Sequence, residues 1–352
     1  AAWVVRHSRR NLLVAATLVW GAMTALSGFA QSFVHLLITR AGIGLGEAGG
    51  PPPSHAMISD LYRPHERASA MSTWHAGNNI GLCVALLAGG YAAQHFGWRG
   101  ALITAGLLTV AYAFLLLVFV REPERMSDAG TPALTAPDSG ILIRETANLI
   151  LRDRALFHLA IAVGMTSVVA LGAVAWLPSF LVRTHGMQIA NVGLYLALVI
   201  GIGGAVGNYI GGRLSDYLRA RDVRWSLWLV CCIILVTKPL IISSYLVGDL
   251  KLALALLALP AIVGGVFYGP SIAALHNRVP AASRAIASAL LLLMVNVVGL
   301  GLGPLLIGGI SDALAGSFGR ESLRYSLAIT QFLGVWGAFH FYFAGRALVA
   351  RS

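Results

Sequence analysis

The chain is a succession of apolar stretches, each long enough to cross a bilayer as a helix. A helical span needs about 20 residues, and stretches of this kind lie at approximately 11–30, 34–58, 69–95, 99–120, 153–181, 190–211, 225–246, 251–275, 285–311 and 325–346. Only 11% of the residues are charged, against roughly 25% in a soluble domain. We predict an all-α membrane protein with ten spans, because open strands leave backbone groups unpaired in lipid.

The basic residues are distributed unevenly between the predicted loops. The chain has a net charge of +11 and 25 lysines and arginines. If both ends lie on one side of the membrane, the other side receives only Arg99, Arg183, Lys251, Arg320 and Arg324. Because positively charged loops stay in the cytoplasm, we predict a multi-pass protein of the inner (plasma) membrane with both ends cytoplasmic. The excess of basic residues is then explained by the orientation of the protein in the membrane, and no nucleic-acid partner is expected.

A longer polar stretch divides the chain into two groups of spans. We predict an N-terminal bundle at 1–120, a cytoplasmic linker at 121–150 and a C-terminal bundle at 151–352. The two groups contain a repeat, since Gly89, Gly90 and Gly97 recur as Gly308, Gly309 and Gly316 at a constant offset of 219 residues. Duplicated bundles are typical of secondary transporters. With four spans before the linker and six after it, we expect a twelve-helix protein represented from its third helix onward, as helices 3–12.

One apolar segment carries both an acid and a base. Arg40 and Glu47 are seven residues apart, which is about two helical turns and places them on the same face of a helix. Ionisable residues at membrane depth usually face a cavity or the bundle interior. We predict that Glu47 exchanges the coupled proton and that Arg40 binds an anionic group through its planar guanidinium. The alternative is a structural ion pair between helices, as buried pairs can be.

Two motifs resemble those of a known family. Gly212-Arg-Leu-Ser-Asp216-x-x-Arg219-x-Arg221 resembles the cytoplasmic loop motif of the major facilitator superfamily, and Arg40-x-x-x-Gly44-x-Gly46-Glu47-Ala48 resembles its fourth-helix motif. Within that superfamily, the segment around Glu47 looks most like spinster-type lipid transporters and next most like organic-anion symporters. The resemblance implies a two-bundle transporter that works by alternating access, with a cytoplasmic gate formed by Asp216, Arg219 and Arg221. The acidic residue that spinster relatives use lies on helix 1, and since we expect this chain to begin at helix 3, that residue cannot be named here.

An amphipathic substrate needs apolar walls and a few placed polar groups. Side chains of these kinds within the predicted spans give the candidate binding residues Trp74, His75, Asn78, Asn79, Trp176, Phe180, Tyr268 and Asn296. Core packing or an interfacial belt would also explain the aromatic ones. Lys238, beside Pro239, could line the second-half cavity or cap a freed carbonyl. His158 and His340 are possible proton relays, although solvated histidines near helix ends are ordinary.

Three functions remain open on these patterns. The first is proton-coupled transport of an amphipathic anion, such as a lysophospholipid or sphingolipid-like lipid, and the second is symport of a sugar acid. The third is a membrane acyltransferase, for which His55 and Asp60 have the His-x4-Asp spacing. Cys83, Cys231 and Cys232 have no metal-ligand or disulfide spacing. We expect a monomer without cofactors or metals, whose partners are substrate, protons and membrane lipids.

Overall fold

A computed structural model describes residues 8–62, 67–122, 139–280 and 283–349. All the regular structure in these ranges is helical, as predicted. In the first part of the chain the helices are α1 (Arg9–Ser27), α2 (Phe33–Ala48), α3 (Pro51–Leu61) and α4 (Arg67–Phe119). In the second part they are α5 (Ser139–Arg152), α6 (Arg154–His185), α7 (Ile189–Leu196), α8 (Gly204–Arg219), α9 (Trp225–Leu246), α10 (Leu250–Val263), α11 (Tyr268–Arg278), α12 (Arg284–Met294), α13 (Gly303–Phe318) and α14 (Ser322–Val349).

Short irregular helical segments connect some of these elements. Ala197–Gly203 and Val295–Leu302 are π-helical, and Gly319–Glu321 is a 3₁₀ turn. Each of the ten predicted spans overlaps a helix or a pair of consecutive helices. The second half of the predicted linker is also helical, since α5 occupies Ser139–Arg152 and packs against α6 and α12.

Six continuous helical stretches of the described residues are long and apolar enough to cross a membrane. They are Ile80–Phe119, Arg154–His185, Ile189–Arg219, Trp225–Leu246, Leu250–Arg278 and Ile286–Val349. The first has 40 residues and the last has 64, which at about 1.5 Å per residue is at least twice the roughly 30 Å of the hydrocarbon core. Non-helical backbone interrupts both, at Gly97 (φ 68°) and Gly319 (φ 53°). Each of these two stretches therefore contains two predicted spans.

Side-chain caps define where several helices begin. Ser8 accepts a hydrogen bond from the backbone N–H of Asn11 at the start of α1, and Ser32 accepts one from His35 at the start of α2. Asp153 and Asp249 cap α6 and α10 in the same way. These short polar side chains satisfy N–H groups that the first helical turn leaves unpaired.

The start of α1 also receives a carboxylate from beyond the end of α4. Glu122 accepts hydrogen bonds from the Ser8 hydroxyl at 2.7 Å and from the backbone N–H groups of Arg10 at 2.8 Å and Arg9 at 2.9 Å. Burial raises the pKa of Glu122, but these hydrogen bonds outweigh it, so the pKa is lowered from its ordinary value. A negative charge at a helix N-terminus is also favoured by the helix dipole.

The chain divides into two compact units. The first comprises Ala1–Pro132 and Ile189–Ala197, and the second comprises Ala133–Gln188 and Leu198–Ser352. In the first unit α1 packs against α2 and α4. In the second unit α6, α9, α11, α12 and α14 enclose an apolar core that includes Leu156, Leu159, Leu227, Leu275, Leu291 and Phe341. The core also contains the small residues Ala162, Ala287 and Ala338, which let neighbouring helices approach closely in a membrane.

Candidate functional site

The helix that carries Arg40 and Glu47 is held against α1 by small residues. A Cβ atom on Gly46 would lie 2.7 Å from the backbone nitrogen of Trp20 and 2.9 Å from the carbonyl oxygen of Ala16. One turn earlier, a Cβ on Gly42 would lie 2.7 Å from Met23 Cγ. The buried Thr39 hydroxyl shares a hydrogen bond of 2.9 Å with the Ser27 hydroxyl. These contacts fix which face of α2 is turned toward α1.

Arg40 and Glu47 lie on a different side of α2, and both are exposed. A helix turns about 100° per residue, so Glu47 is about 100° around the axis from Gly46, and Arg40 is within about 20° of Glu47. Gly44 lies on this side as well, and no atom of the described residues would approach its Cβ within 4 Å. Among the described residues, neither Arg40 nor Glu47 takes part in an ion pair. The described part of the chain therefore shows no contact that supports the alternative of a structural Arg40–Glu47 ion pair.

The surroundings of this acid and base are apolar. Exposed neighbours on α2 include Leu37 at 56%, Ile38 at 61% and Leu45 at 77%. A surface that combines one cation, one carboxyl group and several alkyl side chains suits a substrate with both a charged and an apolar part. Trp74, His75, Asn78 and Asn79 belong to α4, and their side chains lie outside the described part of the structure.

Two predicted binding residues of the second unit take part in helix packing. The Trp176 indole donates a hydrogen bond of 2.9 Å to the carbonyl oxygen of Pro304. Phe180 is fully buried and packs edge-to-face on Tyr245, with ring centroids 5.2 Å apart. Tyr268 and Asn296 are exposed, Tyr268 at the start of α11 and Asn296 in the π-helical segment Val295–Leu302.

The residues of the predicted cytoplasmic gate are close together at the end of α8. Asp216 and Arg219 line a common cavity of about 230 Å³ with Gly269 and Asn277 of α11. Arg221 instead hydrogen-bonds the Tyr217 hydroxyl and places its guanidinium 4.7 Å from the centre of that ring. The gating role of all three residues stays a prediction.

A different arginine ties three helix ends of the second unit together. Arg278 at the end of α11 donates to the Asp153 carboxylate at 3.3 Å and to the carbonyl oxygens of Ala347 and Leu348 near the end of α14. Asp153 simultaneously caps α6. Sequence reasoning missed this cluster, because an arginine and an aspartate 125 residues apart have no motif to connect them.

Buried polar groups also meet between α6, α9 and α14. Lys238 Nζ donates a hydrogen bond of 2.8 Å to Gln331 Oε1, although Gln331 had no place among the predicted site residues. The signal was available, since Gln331 is the one amide side chain in the apolar stretch 325–346. His158 and His340 form a half-buried pair between α6 and α14, with their Nδ1 atoms 2.9 Å apart.

Comparisons with known proteins bear on the fold and on the class of function. The profile of the Major Facilitator Superfamily matches residues 1–304. The chain belongs to the major facilitator superfamily. The predicted fold is therefore confirmed, and the chain belongs to a family of multi-pass membrane transporters that carry small substrates.

Relatives of this superfamily member differ in what their names say they carry. An MFS-type efflux pump of Mycolicibacterium smegmatis is 34% identical over 314 residues, covering 88% of this chain and 71% of the relative. A hexuronate transporter of Bacillus subtilis is 25% identical over 341 residues, covering 94% and 79%. Spinster homolog 3 of Danio rerio is 26% identical over 367 residues, covering 96% and 71%.

A solved structure shares the fold of this superfamily member. A bacterial homolog of the human lysosomal transporter Spinster, crystallised in an inward-facing, unoccupied conformation, matches with a TM-score of 0.86. The match covers 99% of this chain and 85% of that one at 23% sequence identity.

Membership in a transporter superfamily makes the acyltransferase alternative wrong. The structure adds a local reason, because the Asp60 carboxylate forms an ion pair with Arg9 of α1. An acid that neutralises an arginine is not free to orient a histidine base. The side chain of His55 lies outside the described residues.

Proposed function

We propose that this chain is a proton-coupled secondary transporter that moves an amphipathic anion across the plasma membrane by alternating access. The proposed substrate is a lysophospholipid or a sphingolipid-like lipid. The observation that carries the proposal is the open side of α2, where Arg40 and Glu47 share a surface with exposed alkyl side chains. The relatives named spinster support the lipid class.

In this proposal Arg40 holds the anionic group and Glu47 carries the proton. A guanidinium presents two parallel N–H donors to a phosphate or carboxylate. A carboxyl group beside a desolvated cavity takes up a proton when the cavity closes and releases it when water or a cation returns. Substrate and proton bind to the same side of one helix, so the occupancy of one site changes the affinity of the other.

The proposed topology places both ends of the chain and the 121–150 linker in the cytoplasm. Residues 1–120 and 151–352 then form the two bundles that rock about the substrate, as inverted-repeat transporters do. Asp216, Arg219 and Arg221 act at the cytoplasmic side as a gate. Cysteine accessibility at Arg121 and Lys251 in intact cells tests the topology, since the two positions are proposed to lie on opposite sides.

The experiment for substrate and coupling is flux into proteoliposomes at two external pH values. Lysophosphatidylglycerol, a lysophospholipid with a net negative charge, and glucuronate are offered in parallel to the full chain. We expect saturable lysolipid flux that responds to the proton gradient. The Glu47→Gln variant should lose this pH response, while Glu145→Gln, a change in an exposed acid of α5, should retain it. A pH response that persists in Glu47→Gln would refute the coupling role.

The anion role of Arg40 has its own measurement. Loss of a charge-assisted hydrogen bond removes about 1.5–3 kcal/mol, so Arg40→Gln should raise the KM for an anionic substrate by roughly 10- to 100-fold. Arg40→Lys should restore only part of the affinity, because an ammonium does not reproduce the bidentate geometry. An unchanged KM in Arg40→Gln would place the anion elsewhere.

The second candidate is symport of a sugar acid. The relatives named hexuronate transporter and probable L-galactonate transporter favour it. Glucuronate is small and polar throughout, so it would use Arg40 without the neighbouring alkyl side chains. Flux of glucuronate without flux of the lysolipid in the same proteoliposomes would replace the lipid proposal by this one.

A further inference from the structure

A largely apolar cavity of about 300 Å³ lies entirely within the second unit. Its walls come from α6, α9, α10, the turn at 264–267 and α14, and they include Val169, Leu177, Val230, Ile241, Leu257 and Phe267. This volume is at the lower end of the range for small-molecule sites, about 300–1,000 Å³. The alkyl walls suit a hydrocarbon chain rather than a sugar.

Lys238 brings a buried cation to this cavity. Its side chain is only 9% exposed, and its Nζ atom donates to Gln331 Oε1 at 2.8 Å. Gln331 is 1% exposed and is itself held by a hydrogen bond of 3.1 Å from Nε2 to the carbonyl oxygen of Leu327. Among the described residues, no carboxylate forms an ion pair with Lys238. An ammonium group has three N–H donors, and the Gln331 amide is neutral. Much of the hydrogen-bonding capacity of Lys238 and all of its charge therefore stay uncompensated among the described residues.

A buried hydroxyl group that lines the same cavity also lacks a hydrogen-bond partner among the described residues. Thr166 lines the same cavity, its side chain is 7% exposed, and its Oγ1 atom is buried without a hydrogen-bond partner among the described residues. Leaving a buried polar group unpaired costs about 1–3 kcal/mol. A ligand that accepts a hydrogen bond from Thr166 would remove this penalty.

Lys238 and Thr166 both lie against glycines of α14. A Cβ on Gly334 would lie 2.7 Å from Lys238 Nζ, and a Cβ on Gly337 would lie 3.0 Å from Thr166 Oγ1. Positions three apart on a helix are neighbours, with Cβ atoms roughly 5–6 Å apart. Gln331, Gly334 and Gly337 therefore form one stripe of α14, along which the amide, the ammonium and the hydroxyl are arranged.

We propose that this cavity is a binding site for a medium-chain carboxylate, whose head group contacts Lys238 and Thr166 and whose alkyl chain lies against the apolar walls. A buried cation without an acid is unfavourable, and an anionic ligand supplies the missing charge in a medium of low dielectric. The two oxygens of a carboxylate accept from both donors at once. The site uses neither Arg40 nor Glu47, so it does not depend on the proposed function.

The first test is calorimetric titration of the purified full chain in maltoside detergent with three probes. Decanoate has both a charge and a chain, decanol has only the chain, and acetate has only the charge. We expect saturable binding of decanoate at one site, with decanol and acetate at least tenfold weaker. Equal affinities for decanoate and decanol would overturn the proposal, because the lysine would then contribute nothing.

The second test uses variants of the polar groups. Gln331→Glu preserves the shape and supplies an internal acid for Lys238, so it should fold while lowering decanoate affinity at least tenfold. Lys238→Met should do the same by removing the cation. Lys251→Met is the matched control, because Lys251 is the only other lysine and is exposed; it should leave the affinity unchanged.

The outcomes separate this site from the one on α2. Decanoate affinity that is unchanged in Gln331→Glu but lost in Arg40→Gln would assign the anion to α2, which would overturn this inference and leave the proposed function standing. Affinity lost in Gln331→Glu but kept in Arg40→Gln supports the cavity site. If Lys238→Met fails to fold, Gln331→Glu and the three-probe comparison still decide the question.

Discussion

The contact between α1 and α2 can be tested with two alanine substitutions on the same helix. Gly46 and Gly44 are two residues apart, but a Cβ on Gly46 would lie 2.7 Å from the Trp20 backbone nitrogen, whereas none of the atoms that the structure describes lies within 4 Å of a Cβ on Gly44. The obstruction at Gly46 is backbone, which cannot rotate away as a side chain can. Gly46→Ala must therefore push α2 from α1, and Gly44→Ala need not move anything.

The magnitude follows from two opposing terms. Alanine is favoured over glycine in a helix by about 1 kcal/mol, and this gain is the same at both positions. The added methyl at Gly46 is 0.7 Å closer than the 3.4 Å at which ordinary contact begins, and overpacking of this kind costs about 1–3 kcal/mol. Comparison of the two variants cancels the helix propensity, so Gly46→Ala should be less stable than Gly44→Ala by about 1–3 kcal/mol.

Thermal unfolding in detergent, followed by tryptophan fluorescence, measures this difference. A gap of about 1–3 kcal/mol corresponds to a difference in Tm on the order of 5 °C, and Trp20 is a reporter at the contact itself. Gly44→Ala should melt at or slightly above the temperature of the parent chain. If Gly46→Ala melts as high as Gly44→Ala, the α1–α2 contact is looser than described, and the orientation of Arg40 and Glu47 derived from it loses its basis.

Two further predictions concern contacts outside α2. The lowered pKa of Glu122 stabilises the fold above the ordinary pKa of 4.5, and this contribution is lost as the pH falls from there through the lower folded value. Glu122→Gln should therefore remove part of the decrease in Tm between about pH 5 and about pH 3, and an unaltered decrease would contradict this. Trp176→Phe removes the hydrogen bond to Pro304 and should lower the free energy of unfolding by about 1 kcal/mol in a denaturation assay. Trp336→Phe, a change in an exposed side chain of α14, should have little effect in the same assay. Equal effects of the two substitutions would contradict the prediction for Trp176.

The positions of the helices could be predicted from the sequence because lipid imposes a simple rule. A backbone in hydrocarbon must satisfy its own hydrogen bonds over about 20 residues, so length and apolarity are sufficient to find spans. The loop motif around Asp216 and the helix motif around Glu47 indicated the superfamily for the same local reason, since each is continuous in sequence. The helix α5 within the predicted linker was missed, because its 14 residues are too few for a span.

The roles of individual side chains were harder to predict. Trp176 and Phe180 have the residue types of a pocket, but α13 and α9 supply the partners that hold them in packing contacts. Lys238 could be recognised as unusual from its position in an apolar stretch, yet its partner Gln331 is 93 residues away. Nothing in the local pattern relates two positions that only helix packing brings together.

By itself, the sequence determined that this protein is helical, spans a membrane and carries an acid and a base on one face of one helix, since each of these depends on composition or on short-range periodicity. Tertiary structure alone decided which side of α2 is turned away from α1 and which buried cation shares a cavity with a hydroxyl that has no partner among the described residues. The physical reason is that close approach at glycine and the pairing of buried polar groups depend on the neighbouring helix, whose register a single span does not encode.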